Sequence, residues 1–483
     1  MGGAGVPEPG VSRSLARSRS SRISKLGYNL ALGIPADPAA TIDGRVEIAF
    51  DLKNADEPLA IDFRDAGTLL RTVTLPTAPT GRIDVEVVNG HIVVPPAALR
   101  DGTNVIVITF AAGPSIQRRD DLVYSLFVPA KAHHAFPCFD QPDLKADFSI
   151  SVTAPADWTV LSNGHENSVK VNGDRCEFVF RSTRPISTYL VAIVAGRLVV
   201  DTAERNGRTL RMFRPVVDEA LLDRNRDAIF DLHANALAWL EQYTAIDYPF
   251  DKFDFVLIPA FQFGGMEHPG AVYYNASSLL LDATPTEQQL HARAHLIAHE
   301  TAHMWFGNYT TMPWFDDVWM KEVFANLMAA KIVEPMFPTV DHDLRFLLTH
   351  YPAAFAVDRT AGTHPVRQEL DNLDDAGWLY GPIVYQKAPI LMRDIECRMG
   401  EEWLRDALEN YLETHAYGCA AWPELERIMT SRGLTYLGDR HPFESAGLPI
   451  LTSDEAFPLT RPNPAFLPYG RIRFDERSRA DLL

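Results

Sequence analysis

Cysteine is scarce in this 483-residue chain: Cys138, Cys176, Cys397 and Cys419 are scattered, with no Cys-x-x-Cys pair. That spacing offers neither a disulfide framework nor a thiolate metal knot, and it reads as reduced, packed thiols in a reducing compartment. Long apolar runs are missing too. Nothing approaches the roughly 18 residues that a membrane span needs. Residues 1–26 are rich in Ser, Arg and Gly and hold no apolar core of a secretory signal. Positive charge is in deficit, since 45 Lys and Arg face 63 Asp and Glu and leave a net charge of −18. Such a balance argues against nucleic acid or an anionic membrane as a partner. The expectations are therefore a cytoplasmic protein and, over 1–26, a disordered tail. Internal repeats are absent, and oligomeric state is not legible.

What is present has the make-up of an ordinary globular protein, 46% hydrophobic and 22% charged, with length for two to four domains. Residues 27–200 read as an antiparallel β domain. The stretch Gly44–Leu52 alternates with period two, and Val87–Val94 reads as a hairpin over Asn89-Gly90. Within it, Ala135–Ala146 carries two prolines and dense aromatics, the mark of an ordered connection with structural work. Beyond Arg208 the period changes. A helix-like spacing covers Asp218–Tyr243, a strand follows near Phe253, and helices are expected over 287–307, 315–333, 341–350, 378–399, 401–415 and 422–432. A β-rich entry followed by a helical body over 201–450 makes the fold class α+β. Residues 451–483 are Pro-rich and read as an irregular remnant.

The helical body contains His299-Glu-Thr-Ala-His303, with Glu322 after eighteen intervening residues. At 3.6 residues per turn, His299 and His303 share one helix face, close enough to bind a single zinc ion. Glu300 sits beside the first histidine, where a carboxylate can serve as general base. A catalytic zinc site takes three protein ligands and leaves one position open, so a lone downstream His or carboxylate is the expected third ligand, and Glu322 is the candidate. The bland alternative is a helix with two half-exposed histidines and a surface glutamate. Against it stand the surrounding Leu296, Ile297, Ala298, Ala302, Met304, Trp305 and Phe306, among which polar groups are costly unless a partner or a metal satisfies them.

Five stretches in this order carry a family resemblance: Phe136-Pro-Cys-Phe-Asp-Gln-Pro142, Gly264-Gly-Met-Glu-His268, His299–Asn308, Trp319–Ala325 and Tyr385-Gln-Lys387. On them the chain resembles the zinc aminopeptidases of the aminopeptidase N and leukotriene hydrolase type, the gluzincins. The resemblance implies an N-terminal β-sheet domain followed by a thermolysin-like, mainly helical catalytic domain. It implies one zinc ion held by His299, His303 and Glu322, with Glu300 as general base and Tyr385 as hydrogen-bond donor to the oxyanion. It assigns Glu267 to the substrate's free α-amine. Gly264, Gly265, Met266 and His268 complete the substrate-binding set, and the partners implied are peptides with a free N-terminus.

Three features depart from the family pattern. In the β domain, Tyr124–Val128 holds no Gln where the family often has one that lines the first pocket. His268 stands where relatives carry Asn, and a ring titrating near neutrality there would alter amine binding. Most relatives also continue into further domains, and this chain ends within tens of residues of the catalytic part, which suggests a more open cleft. Two rival readings follow: a zinc endopeptidase, and a non-catalytic peptide-binding homologue with a vestigial site.

Overall fold

The computed structural model describes residues 6–76, 81–119, 121–435, 441–447, 450–452 and 471–473. These divide into two compact units, one of residues 1–231 with 249–285 and 370–376, the other of 232–248 with 286–369 and 377–483.

The first unit is built on β-sheets. A seven-stranded sheet runs in the order Glu166–Asn172, Arg175–Phe180, Asp147–Pro155, Ile23–Gly33, Asp43–Leu52, Gly102–Ala111, Leu70–Thr74. The alternation read from Gly44 onward appears as alternating burial along Asp43–Leu52, with Val46, Ile48, Phe50 and Leu52 turned inward. The Asn-Gly hairpin is present: Glu86–Val88 pairs antiparallel with His91–Val94, and Asn89 and Gly90 both take positive φ. One pairing differs from the antiparallel expectation, because Ile23–Gly33 lies parallel to Asp147–Pro155. A parallel pair requires a long connection, and more than a hundred residues separate these two strands. A smaller five-stranded sheet has the order Val199–Arg205, Arg208–Arg214, Phe253–Ile258, Val272–Asn275, Gly265–Met266. Its backbone ladder draws residues 249–285 into the first unit, so the units interleave along the chain where the sequence suggested a break near 200.

The tail expected to be disordered is ordered from Arg13. Residues Arg13–Arg22 form a helix capped by the Ser12 side chain, and the next residue begins the Ile23–Gly33 strand. Its Ser/Arg composition misleads because one arginine is an interior anchor. Arg19 is 1% exposed and meets Asp62, itself 0% exposed, with one bond of 2.8 Å and a second parallel one. Asp62 also accepts from His91 Nδ1 at 2.9 Å and from the Asp140 backbone N–H at 2.8 Å. Asp140 in turn binds His133 Nδ1 at 2.7 Å and Thr188 at 2.6 Å. The Ala135–Ala146 connection is thus the packed structural piece its composition suggests, with Phe136, Cys138 and Phe139 buried around these bonds.

The second unit is helical. Its main elements are Glu287–Ala302, Val318–Val333, His342–Asp358, Ala388–Met399, Glu401–Thr414 and Trp422–Ser431. Thr286 and Gln289 form a reciprocal capping box that starts the first of these. That helix ends at Ala302, five residues short of the expected 307, because Gly307 takes a φ of +122° and the chain folds back through Phe306–Thr310. The helix expected over 378–399 is broken into a 3-10 segment Leu373–Leu379, a single π-turn Ile383–Lys387 and the helix Ala388–Met399. Pro389 has no N–H to offer the carbonyl four residues back, at Tyr385, and the next bond runs from the Ala388 N–H to the Ile383 carbonyl, five residues apart. Conversely the helix expected to stop at 350 continues through Pro352 to Asp358. Most of the 451–483 remnant lies outside the described residues; only Ile450–Thr452 and Arg471–Arg473 are seen, paired as parallel strands. Among the described residues no helix is long and apolar enough to cross a membrane.

Asp62 gives the fold a testable acid sensitivity. Burial opposes its ionisation, but Arg19 and His91 outweigh burial and hold the carboxyl well below its ordinary 3.8. A carboxylate with a depressed folded value contributes its stability fully above the ordinary value and loses it as pH falls toward the folded one. Asp62→Ala strands the buried Arg19 and is expected to cost about 3–5 kcal/mol in denaturant unfolding at pH 7. That deficit should narrow below about pH 4.

Candidate metal centre

Three side chains of the second unit converge. His299 ends the last turn of Glu287–Ala302, His303 caps it in helical geometry, and Glu322 stands on Val318–Val333, which returns alongside. The two Nε2 atoms are 3.1 Å apart, and Glu322 Oε2 lies 3.5 Å from one and 3.7 Å from the other. Donors bound tetrahedrally at zinc-like lengths of about 2.0–2.1 Å stand about 3.3 Å from one another. The triangle therefore has the dimensions of one face of such a polyhedron.

The outer atoms decide which nitrogens are available. His299 Nδ1 meets the Asn326 Oδ1 at 3.0 Å, and His303 Nδ1 meets the Phe306 carbonyl at 3.1 Å. Both partners are acceptors, so each Nδ1 is the donor there and each Nε2 is turned toward the other and toward Glu322. The donor set, two imidazoles and one carboxylate, suits a borderline transition metal rather than calcium or magnesium. Glu322 is 4% exposed, and its Oε1 pairs with Lys321 Nζ at 2.9 Å. Burial opposes its charge, but Lys321 and the two histidines prevail and keep it ionised far below the usual range. Lys321 leaves one carboxylate oxygen for the centre.

Glu300 is buried on the same helical turn as the two histidines. Tyr385 is half-buried on the π-turn, which packs against the Val318–Val333 helix that carries Glu322. Its ring lies 6.3 Å from that of Tyr380, the rival tyrosine. Lys387 at the end of that turn is tied to Asp358 at 2.8 Å, both side chains buried. Such single π-turns recur at functional sites because they re-aim one side chain within an otherwise regular helix.

Glu267 and its neighbours belong to the first unit. Gly265–Met266 is the edge strand of the five-stranded sheet, paired antiparallel with Tyr273 and Tyr274 on one side only. Gly264 is exposed, Met266 is buried, and Glu267 is 4% exposed. His268 corrects an expectation. Its ring is fully buried against Tyr273 at 4.2 Å between centroids, and neither nitrogen has a hydrogen-bond partner. Burial pushes its pKa down to about 3 against the opposing pull of Glu267, so the ring is neutral near neutrality and adds no charge beside that carboxylate.

Two models of one family match the chain: the peptidase family M1 domain over residues 229–435, and the peptidase M1 N-terminal domain over 116–190. The chain belongs to the M1 peptidase family. Among its M1 relatives, aminopeptidase N of Streptomyces lividans is 29% identical over 434 residues, covering 86% of this chain and 49% of that protein. Probable M1 family aminopeptidase 1 of Encephalitozoon cuniculi is 31% identical over 404 residues, 77% of this chain and 45% of that protein. Aminopeptidase M1-A of Oryza sativa subsp. japonica is 31% identical over 312 residues, 64% of this chain and 35% of that protein. The chain thus spans between about a third and a half of the curated relatives it matches.

Reading the sequence missed Asn326, Lys321 and the Phe306 carbonyl. Asn326 could have been found, because it falls one turn after Glu322 on the same face. The backbone carbonyl could not, since no residue type signals it. The buried His268 yields a prediction with a definite sign. Its folded value lies below the ordinary 6.5, so below pH 6.5 the unfolded chain gains a proton that the folded one refuses, and stability falls as pH falls. His268→Asn should flatten the stability slope between pH 6 and 4 by up to about 1.4 kcal/mol per pH unit, read from urea unfolding across that range.

Proposed function

We propose that the protein is a zinc-dependent aminopeptidase that removes residues from the free amino termini of peptides. The observation that carries this reading is the set of three convergent donors, with both imidazoles turning Nε2 toward Glu322 and a second carboxylate, Glu300, on the same helical turn. Membership of a peptidase family supports it, as do relatives whose names are those of aminopeptidases.

His299, His303 and Glu322 would hold the zinc, which when bound supplies Lewis acidity toward the scissile carbonyl and toward water. Glu300 takes the proton from the attacking water and delivers it to the departing amine, so one carboxylate acts as base and then as acid. The Tyr385 hydroxyl donates to the oxygen that gains negative charge as the carbonyl becomes tetrahedral. The Glu267 carboxylate binds the terminal ammonium of the substrate, a charge-matched contact that a blocked terminus cannot make. Gly264 and Gly265, at an open sheet edge, offer the substrate backbone a strand to pair with. A neutral His268 adds no charge of its own beside Glu267, which favours the exopeptidase reading over the endopeptidase one.

The test is a panel of aminoacyl fluorogenic substrates beside their N-acetylated counterparts, with and without a chelator. Free-amine substrates should be cleaved and acetylated ones spared, with activity lost to the chelator and restored by zinc; equal cleavage of both classes refutes the aminopeptidase reading. Glu300→Ala should abolish turnover while zinc content stays at one per chain. Tyr385→Phe should lower kcat on the order of a hundredfold with KM little changed. Asn326→Ala should weaken zinc binding by about tenfold to a hundredfold, measured by competition with a chromophoric chelator.

A further inference from the structure

Glu267 is followed by a tight turn, Glu267–Gly270, whose backbone is gripped by two buried side chains from elsewhere in the first unit. Asn163 follows the strand Thr159–Ser162. Its amide donates to the Pro269 carbonyl at 3.0 Å and to the Leu190 carbonyl at 2.9 Å, and its Oδ1 accepts from the Ala192 N–H at 2.7 Å. Both amide protons are thereby used, and the residue is 6% exposed. The next carbonyl, that of Gly270, accepts from Lys252 Nζ, a fully desolvated ammonium that also pairs with Asp254 Oδ2 at 2.8 Å. Asp254 lies on the central strand Phe253–Ile258 and is held in turn by Arg211 at 2.6 Å.

The fit is close. Gly270 has a φ of +70°, and a Cβ there would stand 2.2 Å from the Asn163 carbonyl oxygen. Inside the turn, the His268 N–H reaches the Met266 carbonyl at 3.0 Å and the Ala271 N–H reaches the His268 carbonyl at 3.1 Å. His268, with both ring nitrogens unpartnered, contributes no polar tether of its own. The two successive carbonyls at Pro269 and Gly270 are therefore where external hydrogen bonds fix this backbone. Both donors are buried, and a buried donor deprived of its acceptor is costly, so the turn has little freedom to slide.

We propose that Asn163 and Lys252 are positioning residues for Glu267. By clamping the Pro269 and Gly270 carbonyls they fix the backbone that carries the amine-binding carboxylate, and so set the preference for a free amino terminus. The inference rests on the amine-anchoring role proposed above for Glu267. It gives one residue of the N-terminal β region a specific part in substrate selection.

The experiment compares four full-length variants with the parent: Asn163→Ala, Ser162→Ala, Lys252→Met and Glu267→Gln. Ser162 is a control in the same segment, because its hydroxyl donates to the Ala192 carbonyl at 2.7 Å and is equally buried. The readout is the ratio of kcat/KM on a free-amine substrate to that on its acetylated counterpart, with KM and kcat resolved separately. Asn163→Ala and Lys252→Met are each expected to lower that ratio about tenfold through a raised free-amine KM, with kcat little changed. Ser162→Ala should leave the ratio at the parent value. Where Asn163→Ala fails to fold, Asn163→Ser, which keeps one donor, carries the comparison. A parent-like ratio in the Asn163 and Lys252 variants, with the ratio collapsed in Glu267→Gln, overturns the positioning role and leaves the anchor standing. A parent ratio near one, or a Glu267→Gln ratio equal to the parent's, removes the anchor and the positioning role with it.

Discussion

Two imidazole Nε2 atoms, 3.1 Å apart beside a buried carboxylate, form the contact on which the second unit depends. Much of the second unit serves to hold it. Apolar walls shield it from water, as Met304, Trp305, Phe306 and Phe324 are buried within a few residues of the donors. The Asn326 amide oxygen and the Phe306 carbonyl prevent the rings from rotating away. Lys321 keeps the carboxylate ionised in surroundings that would otherwise protonate it. Such a cluster is expensive to fold around.

The first unit solves a related problem without a metal. Asp62 is sealed from water and offset by Arg19, His91 and the Asp140 N–H, while Asp254 sits between Lys252 and Arg211. Isolated buried ion pairs seldom add stability over well-packed apolar residues, but breaking one is costly. Their worth here is geometric. The Arg19 pair docks the N-terminal helix onto the sheet beside the Ala135–Ala146 connection, and the Lys252 pair aims an ammonium at the Gly270 carbonyl. Charge placed in the interior in this way fixes a register that apolar contacts alone would leave loose.

Legibility followed physical range. The period-two alternation of Gly44–Leu52, the Asn-Gly hairpin and the one-turn spacing of His299 and His303 are all local, and each was readable because a few neighbouring residues decide it. The errors came where a distant partner overrides local preference. Arg13–Arg22 looks like a solvated tail until Asp62, some forty residues on, takes up Arg19. The expected helix over 378–399 widens into a π-turn because Pro389 withholds a donor, and Pro352 ends no helix although a proline often does. His268 looked like a neutral-pH switch, but its titration is a property of its burial rather than of its residue type.

By itself the sequence determined which three side chains could converge and their helical spacing, because these depend on residue identity and on the pitch of one helix. It also carried enough ordered motifs to declare the M1 family. Tertiary structure alone decided which imidazole nitrogens face Glu322, since that depends on an asparagine from a second helix and on a backbone carbonyl. It alone decided that His268 is uncharged, because desolvation is a sum over packed neighbours. And it alone tied the turn after Glu267 to Asn163, a hundred residues earlier, because a hydrogen bond between distant segments leaves no periodic trace in the chain.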